Sequence, residues 1–413
     1  MENYFKEINN FIMKKQILEY PKDIQDKIEY FLQDGKRLRP ILCIIFSGIQ
    51  IHDDNDNDND NDKYDKTYDK TYYKTNDKTN DTDIEQQTQI IYTVASCIEQ
   101  IHCLSLVLDD LPEMDNDILR RGKQSFHSKY GTDYTNFFIY YMFNRIGLIL
   151  DSVLDNFTVL DTDANINIDY EILNKINKLV AKNINMLIDG QYSDLEYIKN
   201  KDEILEIIDV MDDEYVYNII NNNFKDEIEI ILEFLKKDKI VDKDNKNAKA
   251  DKKLLYISII NNIILNIKKT SSLFNLSICS GFLLQLWTKK SNENSNENSN
   301  DNTNDNTNDI YKQISIWANI FGYMFQISDD ILDMDDDKIK DNPNLCNIIG
   351  KEDTCKILKL GCNWLIDNIK NINIECKVNL NMNLNMNLNM NLNMNLDIEI
   401  INKIIEKILN RIE

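Results

Sequence analysis

Two acidic clusters lie inside apolar, helix-patterned segments and away from the repeats of the chain. The first reads Leu106-Val107-Leu108-Asp109-Asp110-Leu111-Pro112-Glu113-Met114-Asp115, the second Phe325-Gln326-Ile327-Ser328-Asp329-Asp330-Ile331-Leu332-Asp333. Asp329 and Asp333 are four apart, so a helix projects both carboxylates from one face, where like charges repel. A divalent cation removes that cost, and oxygen-only ligands select a hard ion such as Mg2+. One such cluster is unremarkable among 70 acids. Two of them, each behind an apolar helical run and about 220 residues apart, are a stronger signal. Basic residues accompany them: Arg120-Arg121-Gly122-Lys123 just beyond the first cluster, and Gly35-Lys36-Arg37-Leu38-Arg39-Pro40 near the N-terminus. Either basic stretch alone reads as solvated charge. Beside paired acid clusters they suit a polyanion whose phosphate oxygens are bridged by metal and neutralised by Arg and Lys.

The elements that must position these groups are helical. Only 10 glycines and 4 prolines punctuate 413 residues, which argues against a turn-rich β architecture. Apolar residues recur at three- and four-residue steps, as in Ile90, Ile91, Val94, Ile98 and Ile101, or Ile257, Ile260, Ile264 and Ile267. The expected fold is all-α, a single helical bundle interrupted by insertions at 52–83, 198–252, 291–309 and 379–396. These are rich in Asn, Asp and Lys and bury too little to offset their ordering entropy. The alternating Asn-Leu/Met tract at 379–396 mimics a strand but reads as inserted, and Glu227 to Leu235 reads as a loosely packed helix. Without the insertions roughly 290 residues remain, the size of one domain.

A formal net charge of -23 excludes a nucleic-acid surface built on broad positive potential. The eight cysteines (43, 97, 103, 279, 346, 355, 362 and 376) show no C-x-x-C pair and read as buried thiols in a reducing compartment. With no run of eighteen apolar residues and no signal-peptide pattern in the first fifteen, the expectation is no transmembrane segment and a cytoplasmic location, or an organelle if a presequence is missing.

The motifs resemble those of the trans-isoprenyl diphosphate synthases (polyprenyl synthetases), near the farnesyl and geranylgeranyl branch. Gly35 to Pro40 looks like the G-K-R-L-R-P segment. Ile98-Glu99-Gln100-Ile101-His102 through Asp115 looks like the helix into the first aspartate-rich motif, and Arg120-Arg121-Gly122-Lys123-x-Ser125-x-His127 like its continuation. Gly190-Gln191-x-x-Asp194, Lys269-Thr270 and Phe325-Gln326-x-x-Asp329-Asp330-x-x-Asp333 follow in the family's order. The resemblance implies an isoprenoid-synthase fold, a Mg2+-dependent prenyltransferase with three ions per substrate-loaded site, and a homodimer. It implies that Asp109 and Asp115 ligate metal with support from Asp110, and that Asp329 ligates from a facing wall with Asp330 and Asp333 acting through water. It assigns Arg120 to the allylic diphosphate, and Lys36, Arg39, His102 and Arg121 to isopentenyl diphosphate. Lys269, Thr270 and Gln326 fall to the allylic site.

Two departures stand out. Asp34 replaces an expected glycine, and the lysine-rich segment after the second motif shrinks to 334–343, leaving Lys338 or Lys340 as its phosphate lysine. Leu104 and Ser105, just before Asp109, are not aromatic, which favours a twenty-carbon product over fifteen. The alternatives are a farnesyl or longer-chain synthase, a terpene cyclase, and a non-catalytic regulatory subunit that dimerises with an active synthase.

Overall fold

A computed structural model describes the backbone of residues 1–49, 51, 81–158, 170–208, 224–237, 249–292, 302–340, 343–382 and 396–412. Most of the four insertions lies outside the described residues, as do the side chains of Asp194 and Lys340. The described residues are helical apart from one short hairpin, as the periodicity requires, and form two compact units.

The first unit comprises residues within 1–179, 277–298 and 394–397. It contains α1 (Glu2–Asn10), α2 (Gln25–Leu32), α3 (Leu38–Phe46), α4 (Asp81–Asp109), the hairpin β1 (Leu119–Arg120) and β2 (Lys123–Gln124), α5 (Phe126–Tyr130) and α6 (Thr132–Thr158). Every residue of α3 from Pro40 to Phe46 is buried, so it is a core helix apolar on all sides. It packs on α4, which also meets α6. The segment Glu85–Asp109 of α4 has the length and hydropathy of a membrane span, yet 89% of its most apolar window is buried inside the protein. That is the signature of a core helix.

The second unit comprises residues within 180–276, 299–393 and 398–413. Here α7 (Tyr170–Ile208) continues, followed by α8 (Lys225–Lys237), α9 (Lys249–Asn266), a π-helical turn (Ile267–Ser271), the start of α10 (Ser272–Asn292), whose residues from Ser277 on belong to the first unit, and then α11 (Asn302–Leu332), α12 (Met334–Lys340), α13 (Leu345–Ile349), α14 (Lys351–Met382) and α15 (Ile398–Leu409). The pairing of α11 with α14 is pinned by buried Trp317, which stacks on Phe321 and donates Nε1–H to the Leu365 carbonyl at 2.9 Å. Two short helices bury one stripe each at i, i+3, i+4 and i+7: Ile228, Ile231, Leu232 and Leu235 on α8, and Ile401, Ile404, Ile405 and Ile408 on α15.

Three expectations change. The segment read as loosely packed contains α8, whose apolar stripe is fully engaged. The backbone of α11 begins at Asn302, inside the repeat at 291–309, and that of α14 runs to Met382, inside the tract read as inserted. Once a core-anchored helix exists, each added residue gains a hydrogen bond without repeating the nucleation cost, so polar residues extend it. Among the described residues no disulfide forms. Burial pushes the thiols of Cys97, Cys103 and Cys362 up to about 12, which makes them inert.

Candidate functional site

The first acidic cluster is shaped by how α4 ends. Its helical bonds stop near Pro112, and the chain folds back so that the Asp115 amide donates to the Asp109 carbonyl at 2.9 Å, while Asn116, at φ 55°, donates to the Leu111 carbonyl. Two aspartates six residues apart thereby become neighbours, Asp109 half-buried and Asp115 exposed. The chain then enters the hairpin, whose two turn residues, Arg121 (φ 53°) and Gly122 (φ 76°), are both left-handed. That is the type I′ geometry that matches strand twist.

Asp110 departs from the metal role expected for it. It is buried, and its Oδ1 accepts from both Nε (2.9 Å) and Nη2 of Arg120. Burial lifts its carboxyl above the ordinary range and the guanidinium opposes that shift. A buried carboxylate must be paired, and Arg120, also 3.6 Å from Asp117, is the pair. Asp110 therefore holds a cation in place beside Asp109.

The N-terminal basic motif divides sharply. Lys36 is exposed and Arg39 half-buried, but Arg37 between them is 1% exposed. Its Nη1 pairs with Glu99 at 3.0 Å, Nε donates to Asn9 Oδ1 at 3.1 Å, and Nη2 reaches the Leu32 carbonyl. Left-handed backbone at Asp34 and Arg37 turns alternate side chains in opposite directions. Gly35 makes room, since a Cβ there would lie 2.3 Å from Arg37 Nη1 and 2.6 Å from Glu99 Oε1.

His102 sits one helical turn past Glu99. Burial depresses its pKa well below the usual imidazole value, reinforced by Arg39, Arg121, Arg120 and Arg37. It is a neutral hydrogen-bonding group among cations. The chain has six arginines in all, and four of them act on this one imidazole. In a protein of net charge -23 that is a local concentration of positive charge.

In the second unit the π-turn carries Lys269 and Thr270. It is approached on two sides by glycines. A Cβ on Gly190 would come within 2.9 Å of the Lys269 backbone nitrogen, and one on Gly322 within 2.5 Å of Ser271 Cα. Thr270 Oγ1 donates to Gln326 Oε1 at 2.6 Å, and Gln326 Nε2 donates to Asp330 Oδ1 at 3.0 Å. Asp330 Oδ2 accepts from the Leu345 amide at 2.8 Å, and burial raises its carboxyl to about 7. Asp330, like Asp110, was expected in the metal set and is buried with both oxygens engaged; it fastens the start of α13 to α11. Asp329 is half-buried and Asp333 exposed, just past the end of α11. Leu104 is fully buried and Ser105 nearly so, its hydroxyl donating to the His102 carbonyl at 2.8 Å.

Arg411 was not anticipated. Beyond α15 it pairs with Asp329, donates to Ser328 Oγ at 2.9 Å and lies 4.9 Å from the centre of the Phe325 ring. The scarcity of arginine could have flagged it, because a chain that supplies nearly all its basic charge as lysine keeps Arg where a fork of donors is needed.

The donors Asp109, Asp115, Asp329 and Asp333 are all carboxylates, the chemistry a hard divalent ion requires. Among the described residues no three His, Cys, Asp or Glu side chains converge into a ready cage.

Residues 21–217 match the sequence profile of the Polyprenyl synthetase family, covering both the N-terminal basic motif and the first aspartate cluster. Those residues belong to the polyprenyl synthetase family. A mitochondrial geranylgeranyl pyrophosphate synthase of Arabidopsis thaliana is 27% identical over 200 residues, 47% of this chain and 44% of that protein. The chain spans about half or less of the length of the first curated relatives it matches. A geranyltransferase of Legionella pneumophila superposes with a TM-score of 0.55 at 15% identity over 99% of this chain and 95% of its own. A geranyltransferase of Helicobacter pylori, crystallised with magnesium and isoprenyl diphosphate, gives 0.51 at 16% over 92% and 95%. Similarity at that level shows that the chain shares the fold of these two structures, beyond residue 217 as well.

Proposed function

We propose that the chain is a Mg2+-dependent trans-prenyltransferase that condenses isopentenyl diphosphate with dimethylallyl, geranyl or farnesyl diphosphate, ending at the twenty-carbon geranylgeranyl diphosphate. The observation that carries this reading is Arg120, fixed by buried Asp110, lining one cavity with Arg121 and Lys123 just beyond Asp109 and Asp115 in the chain. It is a site built for a highly charged anion and a metal together.

In this reading Arg120, steadied by Asp110, grips the allylic diphosphate. Lys36, Arg39, Arg121 and neutral His102 bind isopentenyl diphosphate, the histidine as hydrogen-bond donor. Lys269 neutralises the leaving group while Thr270 and Gln326, bonded to each other, present a fixed polar edge to the allylic carbon. Asp109 and Asp115, and Asp329 with Asp333 acting through water, would hold Mg2+, which would supply the charge that lets diphosphate depart. The apolar helices keep water from the cation that remains.

We take residues 1–413 as one synthase domain interrupted by its insertions, and the assembly as a homodimer. An exposed stripe on α6 supports the second point: Phe137, Tyr140 and Leu148 are exposed among the described residues, with Tyr134 beside them. We place the protein in the cytoplasm on the strength of its buried thiols, with the mitochondrial relative marking an organelle as the other reading.

Incubation with labelled isopentenyl diphosphate and each allylic partner tests the function. Elongated prenyl diphosphate formed only with Mg2+ is expected. Consumption of the allylic diphosphate alone points to a cyclase, and no product from folded protein points to a regulatory subunit; either overturns the proposal. Leu104→Phe or Ser105→Phe should shorten the product by at least one five-carbon unit, because a packed site cannot absorb both a ring and the longer chain. Chromatography of the dephosphorylated products reads this directly, and an unchanged distribution in both variants places the floor elsewhere.

A further inference from the structure

The hairpin is docked on the segment before α3 by polar contacts that the mechanism above leaves unused. Lys123 Nζ lies 2.5 Å from Asp34 Oδ2 and 3.1 Å from Gln33 Oε1. Arg121 Nη1 donates to the Gln33 carbonyl at 3.3 Å, and Tyr30 donates its hydroxyl to the Gln124 carbonyl at 2.7 Å. Gln33, Asp34, Arg120, Arg121 and Lys123 together rim a cavity of about 60 Å³ with apolar walls that include Phe31 and Val107. Three cations and two acids thus share the cavity, and one of the acids, Asp110, is already engaged by Arg120. The side chains of Lys123 and Asp34 are about half exposed, at 48% and 52%.

We propose that Lys123 is a further diphosphate-binding cation of this site and that Asp34 is the acid that competes for it, so that the pair sets the affinity for isopentenyl diphosphate. The inference rests on the prenyltransferase reading. Its physical basis is the unequal strength of two contacts. An ion pair this exposed is weakly held, whereas an ammonium group on a multiply charged phosphate makes a charge-assisted bond. Arriving diphosphate can therefore take Lys123 from Asp34, at the cost of breaking that pair. Asp34 also keeps the lysine near the rim in the free protein. The cost of breaking the pair outweighs the help of so loose a tether, so removing the acid frees the lysine for the anion.

The test is isothermal titration of the full chain with isopentenyl diphosphate and, separately, with inorganic pyrophosphate. Asp34→Asn, Lys123→Gln and the double variant are compared with the parent. Asparagine tolerates the left-handed backbone at this position, and the circular dichroism of each variant checks folding. Asp34→Asn should tighten both anions roughly three- to tenfold, and Lys123→Gln should weaken them by a similar factor. In the double variant the gain from Asp34→Asn should largely vanish, because Asp34 acts through Lys123. Unchanged or weaker binding in Asp34→Asn overturns the proposal. So does a full gain that persists without Lys123, which makes Asp34 a general repulsive charge. If the parent binds neither anion while folded, the prenyltransferase reading falls first and takes this inference with it.

Discussion

Asp109→Ala and Asp329→Ala should each lower the rate of prenyl transfer by roughly 10³-fold or more, because in the proposed mechanism each would remove an oxygen ligand to the charge that stabilises departing diphosphate. Their effects on the protein should differ. Asp109 lies at the end of α4, half-buried, and its carbonyl, which survives the substitution, is what binds the Asp115 amide. Loss of Asp329 strands Arg411, which keeps its bond to Ser328 and its place over Phe325. Both groups of that pair are more than a quarter exposed, so the stability cost should stay within about 1 kcal/mol. Rates with labelled isopentenyl diphosphate at saturating Mg2+, set beside urea midpoints, check both halves. Parental turnover in either variant removes that aspartate from the metal set.

Substitution of Arg37 or Glu99 should do the reverse, destroying stability through a residue that touches no substrate. Arg37→Met leaves Glu99 as an unpaired carboxylate inside the core, and Glu99→Gln leaves an unmatched guanidinium. Breaking a buried ion pair on one side costs about 3–5 kcal/mol, a large fraction of the stability of a domain. A variant carrying Arg37→Met together with Glu99→Leu removes both charges and should recover part of that loss. Denaturant midpoints of the three proteins decide it. Equal midpoints for Arg37→Met and the parent would mean that the pair carries no weight.

The helical architecture and the acid clusters were readable from the sequence because they depend on local spacing. Apolar residues at three and four steps specify a buried stripe whatever the partner helix is, and Asp329 and Asp333 share a face through helix geometry alone. The division of labour inside each motif was not readable. In Gly35 to Pro40 the inward turn of Arg37 depends on two left-handed residues and on Glu99, 62 positions away. In the same way Asp110 and Asp330 look like their neighbours in sequence, and only the positions of Arg120 and the Leu345 amide reveal that they are structural. Arg411 lies 82 residues beyond Asp329, outside any motif, and reaches it because α15 buries four isoleucines. The helical stretch at 225–237 was legible, but not its burial, because lysine and glutamate on its outer face mask the stripe beneath.

The π-turn at Ile267–Ser271 has a consequence for comparing this chain with its relatives. A π-turn holds one residue more than an α-helix of the same span. Deleting one residue there would leave an unbroken α-helix with its flanks in phase, whereas winding the same residues as α-helix without a deletion would rotate one side by about 100° relative to the other. Lys269 and Thr270 owe their direction to that extra residue. Two sequences aligned without a gap through this region can therefore agree in letters and differ in phase. The match that matters is the residue that bonds Gln326, not the one that shares a column with Thr270.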